Sequence, residues 1–231
     1  MDLSVAEYAQ RRGISRQRAL SMIRAGQISA RRIGRSWVID QRELNQRAAV
    51  GRPLGKRMAG ILIDAISGGH HESLNAQDRF FAAGYFDRLG SAEDPARLLH
   101  SWMKSRQLRV VNVAANPADL GDIARDDRVV ASGISDERSE MSAAREFEGY
   151  LASADLDGFL RENLLMDSDS PNVRLHVVDE RPARPVPLGL VLADLADWNR
   201  PREDGRVIEL LNGLSWSRDL RSTSSIHDSS P

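Results

Sequence analysis

An ordered series of helix and turn signals at the start of the chain leaves it few ways to fold. Ser4, followed three residues later by Glu7, forms a capping box, which satisfies free backbone N–H groups at the start of a helix. Gly13 ends this first helix, because glycine readily adopts the left-handed conformation found at helix ends. Ser15 caps a second helix, which Gly26 stops. We therefore predict two short helices joined by a tight turn.

The second helix has one apolar face and one polar, basic face. Ala19, Leu20 and Ile23 recur at helical spacing, so we predict that they face a core. At about 100° per residue, the polar side chains point roughly the opposite way. Arginine and glutamine at such positions can form bidentate hydrogen bonds with guanine and adenine edges in a major groove. We therefore predict base-reading contacts from Arg16, Gln17, Arg18 and Ser21.

Two short extended runs follow, at residues 28–33 and 36–39. Gly34 and Arg35 separate them, and glycine at the first central position suits a two-residue hairpin turn. Trp37 lies on the second run, and we predict that it packs beneath the hairpin because buried aromatic rings mostly fill cores. The sequence therefore predicts a basic hairpin directly after the second helix.

Charge is distributed unevenly along the chain. Residues 1–57 hold 13 Lys and Arg against 4 Asp and Glu, a balance of +9. Since the whole chain holds 32 and 33, the rest holds 19 basic and 29 acidic residues, a balance of −10. A compact basic module points to a polyanion such as DNA as its partner. We predict contacts with the DNA backbone from basic residues in and after the second helix: Arg24, Arg31, Arg32, Arg35, Arg52, Lys56 and Arg57.

The order of helix, glycine turn, helix and basic hairpin resembles the excisionase/MerR-type winged helix-turn-helix of phage excisionases and bacterial regulators. The motifs that carry the resemblance are Ser4-Val5-Ala6-Glu7-Tyr8-Ala9, Gly13-Ile14-Ser15, Ala25-Gly26-Gln27-Ile28, Arg31-Arg32-Ile33-Gly34-Arg35-Ser36-Trp37 and Asp40. It covers about residues 3–47. The resemblance implies a double-stranded DNA partner. DNA-binding proteins of this type often bind two half-sites of an operator, as homodimers or as monomers side by side.

Beyond the basic segment the pattern of helices and strands is mixed. We predict helices at residues 58–66, 74–89, 95–106, 117–124, 156–165 and 201–211. We predict strands at residues 108–114, 129–131, 147–151, 172–178 and 187–193, although residues 143–151 also tolerate a helix. The aromatic residues Phe80, Phe81, Tyr85 and Phe86 form a cluster for which we predict core packing.

These signals together predict an α+β protein, with an N-terminal winged helix-turn-helix and a larger mixed α/β domain. We place the first domain at residues 1–49, where Asp40 caps a third helix over residues 41–49. A basic linker over residues 50–57 precedes the mixed domain, which covers residues 58–216. The serine-rich residues 217–231 are predicted to be a disordered tail.

The sequence carries no motif for catalysis. It has no cysteine, no glycine-rich phosphate loop, no nucleophile elbow and no spacing typical of metal ligands. Asp194 and Asp197 are the best candidates for a carboxylate site, but capping of a turn or a protein interface is favoured. His176 lies on the polar side of its predicted strand and is expected at the surface. We predict no enzyme activity, no metal and no cofactor.

The second domain resembles the C-terminal domain of AbiE-type, or type IV, antitoxins. The segments that carry this resemblance are Val129-Val130-Ala131-Ser132-Gly133, Ala143-Ala144, Phe147-Glu148-Gly149-Tyr150-Leu151, Asn172-Val173-Arg174-Leu175-His176-Val177, Pro187 to Asp197 and Pro201-Arg202-Glu203. The resemblance implies autorepression of an operon that also encodes a nucleotidyltransferase-like toxin. The chain departs from the family in the excisionase-like form of its winged helix, and no toxin-neutralising residue is carried over.

We therefore predict a sequence-specific transcriptional repressor that is the antitoxin of a toxin–antitoxin operon. The alternatives are an excisionase-like architectural DNA-binding factor, a ligand-sensing transcription regulator and, last, an enzyme directed to DNA by its first domain. The absence of cysteine and of an apolar run of about 18 residues favours a cytoplasmic protein without a membrane partner.

Overall fold

The computed structural model describes residues 2–24, 28, 30–34, 36–40, 51–68, 74–106, 108–141 and 145–214. In this part of the chain the fold is α+β, with helices and two separate sheets. The chain divides into two compact units, Met1–Ala48 and Ala49–Pro231. The helix predicted at residues 41–49 and the tail predicted at residues 217–231 lie outside the described residues.

The first unit packs two helices against an antiparallel sheet of strand order β1-β3-β2. Its described elements are β1 (Asp2–Ser4), α1 (Val5–Arg12), α2 (Arg16–Arg24), β2 (Ala30–Ile33) and β3 (Ser36–Asp40). Strand β3 is central, since its Ile39 pairs with Leu3 of β1 and with Ala30 of β2. The core is built from apolar side chains of both helices and the sheet: Leu3, Val5, Tyr8, Ala9, Ala19, Ile23, Ile28 and Ile39.

The capping box predicted at the start of α1 is confirmed. The backbone N–H of Glu7 donates to Ser4 Oγ at 3.2 Å, and the backbone N–H of Ser4 donates to Glu7 Oε2 at 2.8 Å. The hydrogen bond from the Ser4 backbone lowers the pKa of Glu7, because it stabilises the carboxylate. Gly13 ends the helix in the left-handed conformation, with φ of 64°. The first helix therefore begins and ends where its local sequence predicts.

The second unit is built on a mixed sheet of strand order β4-β7-β6-β5, in which β6 and β7 are parallel. Its described elements are α3 (Lys56–Ile66), α4 (Ala76–Gly90), α5 (Pro95–Met103), β4 (Arg109–Val113), α6 (Leu120–Arg125), β5 (Val129–Ala131), β6 (Phe147–Ala152), α7 (Leu156–Glu162), β7 (Val173–Val178), α8 (Leu188–Trp198) and α9 (Pro201–Asn212). Helices α6 and α7 pack on one face of the sheet. Helix α8 packs on the other face, together with further helices of this unit. Every predicted helix of this unit is present.

The prediction of a buried strand at residues 187–193 is wrong, because helix α8 begins at Leu188, directly after its N-cap residue Pro187. A continuous apolar run fits a buried strand and a helix buried on all sides equally well. Helix α8 is such a helix, since it packs against α3, α5 and α9, and all residues from Val191 to Ala196 are buried. The apolar run therefore reflects a central helix and not a central strand.

The predicted core position of the aromatic cluster is also wrong for half of its members. Phe86 is buried and Tyr85 is half-buried, but Phe80 is 76% and Phe81 44% exposed. Helix α4 buries the face that carries Ala82, Phe86 and Leu89. Because residues are about 100° apart around a helix, Phe80 points away from that face. The apolar composition of this segment suggested that all its aromatic rings are in the core. The position of each residue around the helix determines which rings are buried.

The segment predicted as a basic linker packs against the second unit. Leu54 is buried in the core of that unit, and its backbone N–H donates to the carbonyl of Trp102 at 3.1 Å. Helix α3 then begins at Lys56. The apolar Leu54 anchors this stretch, because its burial removes apolar surface from water.

Candidate functional site

Helix α2 exposes the polar face that the sequence predicted. Its inner side is formed by Ala19, which is fully buried, and Ile23. The predicted base-reading side chains are all exposed: Arg16, Gln17, Arg18 and Ser21. The side chain of Arg24 lies outside the described residues. The helix thus presents hydrogen-bond donors and acceptors of the kind that read base edges.

A tight turn fixes α2 against α1. The backbone N–H of Ile14 donates to the carbonyl of Ala9 at 3.0 Å, directly after the left-handed Gly13. Ser15 caps α2, since its Oγ accepts a hydrogen bond from the backbone N–H of Arg18 at 3.1 Å. The two helices therefore hold a defined crossing, and the exposed face of α2 lies on a rigid element.

Strands β2 and β3 form the predicted hairpin. Arg32 pairs with Trp37 and Ile33 with Ser36, so Gly34 stands at the turn with φ of 59°. Positive φ at this position is typical of the two-residue hairpin turns that favour glycine. Trp37 is half-buried against the core of the first unit, as predicted. The Arg31 and Arg32 side chains are exposed, and Arg35 lies outside the described residues.

The three remaining residues predicted to contact the DNA backbone belong to the second unit. Arg52 and Lys56 are exposed. Arg57 is also exposed, with 71% of its side chain accessible, and it forms a two-point ion pair with Asp78, in which Nη1 is 3.0 Å from Oδ1 and Nη2 is also bonded to Oδ2. The Asp78 side chain is only 6% exposed, so it requires this cation for neutralisation. Arg57 therefore compensates a buried carboxylate of the second unit, and its contact with the DNA backbone stays a prediction.

A buried ion-pair cluster lies between α5, α8 and the sheet of the second unit. Arg106 Nη1 is 2.7 Å from Asp194 Oδ1, and its Nη2 is 2.9 Å from Asp197 Oδ2. Ser132 Oγ and Tyr150 OH also donate to Asp194, at 2.6 Å and 3.1 Å. Burial acts to lower the pKa of Arg106, but the two carboxylates outweigh it and raise the pKa. The prediction that Asp194 and Asp197 cap a turn or serve an interface is therefore wrong.

A third acid, Glu148, joins this cluster from strand β6. Its Oε1 is 2.9 Å from His176 Nε2, and its Oε2 accepts hydrogen bonds from Trp198 Nε1 at 2.7 Å and from the backbone N–H of Ile134 at 3.1 Å. His176 is fully buried and stacks on the Tyr150 ring, with centroids 4.9 Å apart. The surface position predicted for His176 is wrong, because this side of its strand is covered by α8.

Four members of this cluster were not predicted from the sequence: Arg106, Ser132, Glu148 and Tyr150. One signal was present, since Glu148 interrupts an otherwise apolar strand and Asp194 an otherwise apolar helix. Charged residues are almost never fully buried unless they are paired. Within the described ranges, no group of three or more His, Asp or Glu side chains is placed to hold a metal ion. The geometry is that of mutual charge compensation.

The cluster predicts a pH dependence of stability through His176. Burial acts to lower the pKa of His176, but the carboxylates of Asp194 and Glu148 outweigh it and raise the pKa above its ordinary value. Protonated His176 therefore stabilises the fold below about pH 6.5, and this contribution is lost as pH rises through the folded-state pKa. We expect the free energy of unfolding, measured in urea, to fall as the pH rises above about 6.5. His176→Gln should flatten this slope; an unchanged slope would contradict the assignment.

Comparison with known families assigns the first unit to a class. A family described as a helix-turn-helix domain matches residues 3–49. Neither a curated protein nor a solved structure matches the chain. None of the described helices is long and apolar enough to cross a membrane. The first unit is a helix-turn-helix domain, a class of module that binds DNA and regulates transcription.

Proposed function

We propose that the protein is a sequence-specific regulator of transcription that represses its promoter by binding double-stranded DNA. The observation that carries the proposal is the exposed polar face of α2, in a domain whose family is helix-turn-helix. A second helix of this kind places its outer face in the major groove, where each base pair presents a distinct pattern of donors and acceptors. Phosphate contacts position such a domain, and base contacts give its specificity.

In this proposal the β2–β3 hairpin acts as a wing along the duplex. Its exposed Arg31 and Arg32, together with Arg24 and with Arg35, which follows Gly34 in the sequence, contact phosphates or the minor groove. When an arginine neutralises a DNA phosphate, it releases counterions bound to the DNA, so the affinity falls as the salt concentration rises. What supports the wing is the register of the hairpin and the exposure of the two described arginines.

Two substitutions separate base reading from backbone contact. Arg18→Ala should weaken binding to operator DNA by about tenfold or more, which is ~1.4 kcal/mol, with a smaller effect on random duplex. Arg32→Ala should weaken binding to both and reduce the slope of log K against log salt by about one unit. Fluorescence anisotropy at several salt concentrations measures both effects. Equal loss on operator and random DNA for Arg18→Ala would remove Arg18 from the base-reading set.

The operator itself can be located by footprinting the purified protein on the DNA upstream of its own gene. We expect protection of one site or of two half-sites, followed by repression of a reporter driven by that promoter. No protection and no repression at any tested concentration would refute autorepression. A DNA-bending assay at the same site distinguishes the repressor from an architectural factor, which would bend the duplex.

The finer proposal is that the repressor is the antitoxin of a two-gene operon. Its support is the resemblance of residues 129–203 to AbiE-type antitoxins, which implies a nucleotidyltransferase-like toxin as partner. Expression of the adjacent gene alone should then arrest growth, and co-expression with this chain should restore it. Growth arrest that co-expression does not relieve would refute the antitoxin role and leave DNA binding untouched.

We further propose that the second unit is not an enzyme. The support is that the acids of the buried cluster are already engaged within the fold, because they pair with Arg106 and His176 and accept a hydrogen bond from Trp198. A nuclease assay on operator DNA with added divalent metal tests this directly. Metal-dependent cleavage by the purified chain would overturn the proposal.

A further inference from the structure

The charge of the second unit is unevenly distributed along its sequence. Residues 51–109 hold 9 Lys and Arg against 6 Asp and Glu, a balance of +3, whereas residues 110–231 hold 13 against 23, a balance of −10. In the later part, several arginines pair with carboxylates: Arg125, Arg128, Arg138, Arg174, Arg200 and Arg206. The excess positive charge of this unit therefore lies in residues 51–109.

Three cations of this segment lie close to the buried ring of Trp102. The Arg88 guanidinium, from α4, lies over the ring, with its Cζ atom 5.4 Å from the ring centroid. A Cβ atom added at Gly51 would lie 3.6 Å from Trp102 Nε1, so Arg52 follows directly beside the indole edge. Two residues before Lys56, the same stretch donates a backbone hydrogen bond to the Trp102 carbonyl. We call Arg52, Lys56 and Arg88 the Trp102 basic surface.

The cations of the Trp102 basic surface are exposed, and none of them has a carboxylate partner in the described part of the chain. Two acids in nearby positions do not neutralise them. Asp78 is already compensated by Arg57, and Asp87, which precedes Arg88, points about 100° away from it around α4. A guanidinium that stacks on an aromatic ring keeps its in-plane N–H donors free for another partner. The surface therefore offers three positive charges to an anion.

We propose that the Trp102 basic surface binds the phosphate backbone of DNA, as a second contact besides that of the first unit. This inference rests on the proposed function, because it takes the DNA held by the first unit as the nearest polyanion. Asp40, at the end of β3, and Gly51 are 11 residues apart, so the chain between them spans at most about 40 Å. DNA held by the first unit therefore stays within reach of this surface.

The chemistry of the surface favours a phosphate backbone over an acidic protein. Protein interfaces have an apolar centre within a polar rim. The Trp102 ring is covered by Arg88 and is only 1% exposed, so the surface offers charge but no aromatic contact area. A DNA backbone needs no apolar contact, since it carries about one negative charge per 1.7 Å of duplex and is bound through charge.

The fixed position of the surface gives it an effect that a free basic linker would lack. Residues 51–57 were predicted as a linker, but Leu54 anchors them to the core of the second unit. Arg88, which was not predicted to contact DNA, comes from a different helix. Two contacts on one chain raise the affinity together, because the first contact increases the local concentration of the second.

DNA binding by the full chain, measured by fluorescence anisotropy at several salt concentrations, tests the proposal. The variant combines Arg52→Gln, Lys56→Gln and Arg88→Gln. We expect the slope of log K against log salt to fall by about two to three units, since each lost phosphate contact removes about 0.9. The affinity at about 50 mM salt should fall about tenfold or more. The loss should be equal on operator and random duplex, because phosphate contacts carry no sequence information.

The matched control removes three charges from the acidic part of the unit. It combines Arg145→Gln, Arg161→Gln and Arg202→Gln, at exposed arginines that have no carboxylate partner in the described part of the chain. Its net charge equals that of the first variant. We expect the control to keep the salt slope of the wild type, because the effect depends on where the charges lie.

A charge-preserving variant separates DNA contact from packing on Trp102. Arg52→Lys combined with Arg88→Lys should keep the salt slope, because lysine also binds phosphate as a point charge. A slope that falls in this variant as well would overturn the proposal. If the wild type binds DNA and the triple variant has the slope of its control, this inference fails and the proposed function stands. A wild type that binds neither operator nor random duplex would overturn both.

Discussion

Replacing Asp194 by alanine should destabilise the second unit by about 3–5 kcal/mol, because it leaves a buried cation without its counter-charge. Asp194 is fully buried, and the side chain of Arg106 is only 8% exposed. Ser132 Oγ and Tyr150 OH would lose their acceptor at the same time. The cost comes from the uncompensated guanidinium and the unsatisfied hydroxyls, and it exceeds the net contribution of the intact ion pair. Urea unfolding followed by circular dichroism and tryptophan fluorescence measures the change.

The matched control for this prediction is Asp122→Ala. Asp122 also pairs with an arginine, Arg125, at 2.7 Å, but both side chains are about three-quarters exposed. Water screens such a pair, so its removal should change the unfolding free energy very little. If Asp194→Ala and Asp122→Ala had the same small effect, Arg106 would not depend on Asp194 in the folded state. Asp194→Asn should fall between them, because it keeps a hydrogen-bond acceptor and removes the charge.

The first unit could be predicted closely from the sequence because its signals are local. The box formed by Ser4 and Glu7, the left-handed Gly13 and the hairpin glycine Gly34 each act within a few residues. Strand β1 was missed for the opposite reason. It has three residues, Asp2–Ser4, and exists as a strand only because β3 pairs with it from some 36 residues away along the chain.

In the second unit, local sequence patterns predict the helices but not the contacts between distant residues. Its helices were found from their spacing and caps, such as Asp94 before Pro95. The buried cluster was not predicted, because Arg106 and Asp194 are 88 residues apart in the sequence and Glu148 and His176 are 28 residues apart. Such partners meet only after the strand order is known, and strand order is a property of the whole fold. The sequence could show that Asp194 interrupts an apolar run, but it could not name the cation that compensates it.

Helix α3 also comes very close to the N-terminus of α8. The backbone N–H of Gly189 donates to Ser67 Oγ at 2.9 Å, just after the end of α3. A Cβ atom added at Gly189 would lie 2.7 Å from the Cα atom of Ile63 and 2.8 Å from its carbonyl carbon. These are backbone atoms of a packed helix, so neither can move aside without shifting α3 against α8. Gly189 is therefore a requirement of helix packing that no local pattern could show.

Gly189→Ala should consequently destabilise the second unit by about 3 kcal/mol, at the upper end of the usual cost of overpacking. Gly205→Ala is the same chemical change in α9, where an added Cβ meets nothing within 4 Å. It should instead stabilise the unit by up to about 1 kcal/mol, since alanine favours helix over glycine. Unfolding in urea at one pH compares the two variants with the wild type. Opposite signs for one identical substitution would establish that the α3–α8 contact has no room for a methyl group, and a neutral or stabilising Gly189→Ala would disprove that contact.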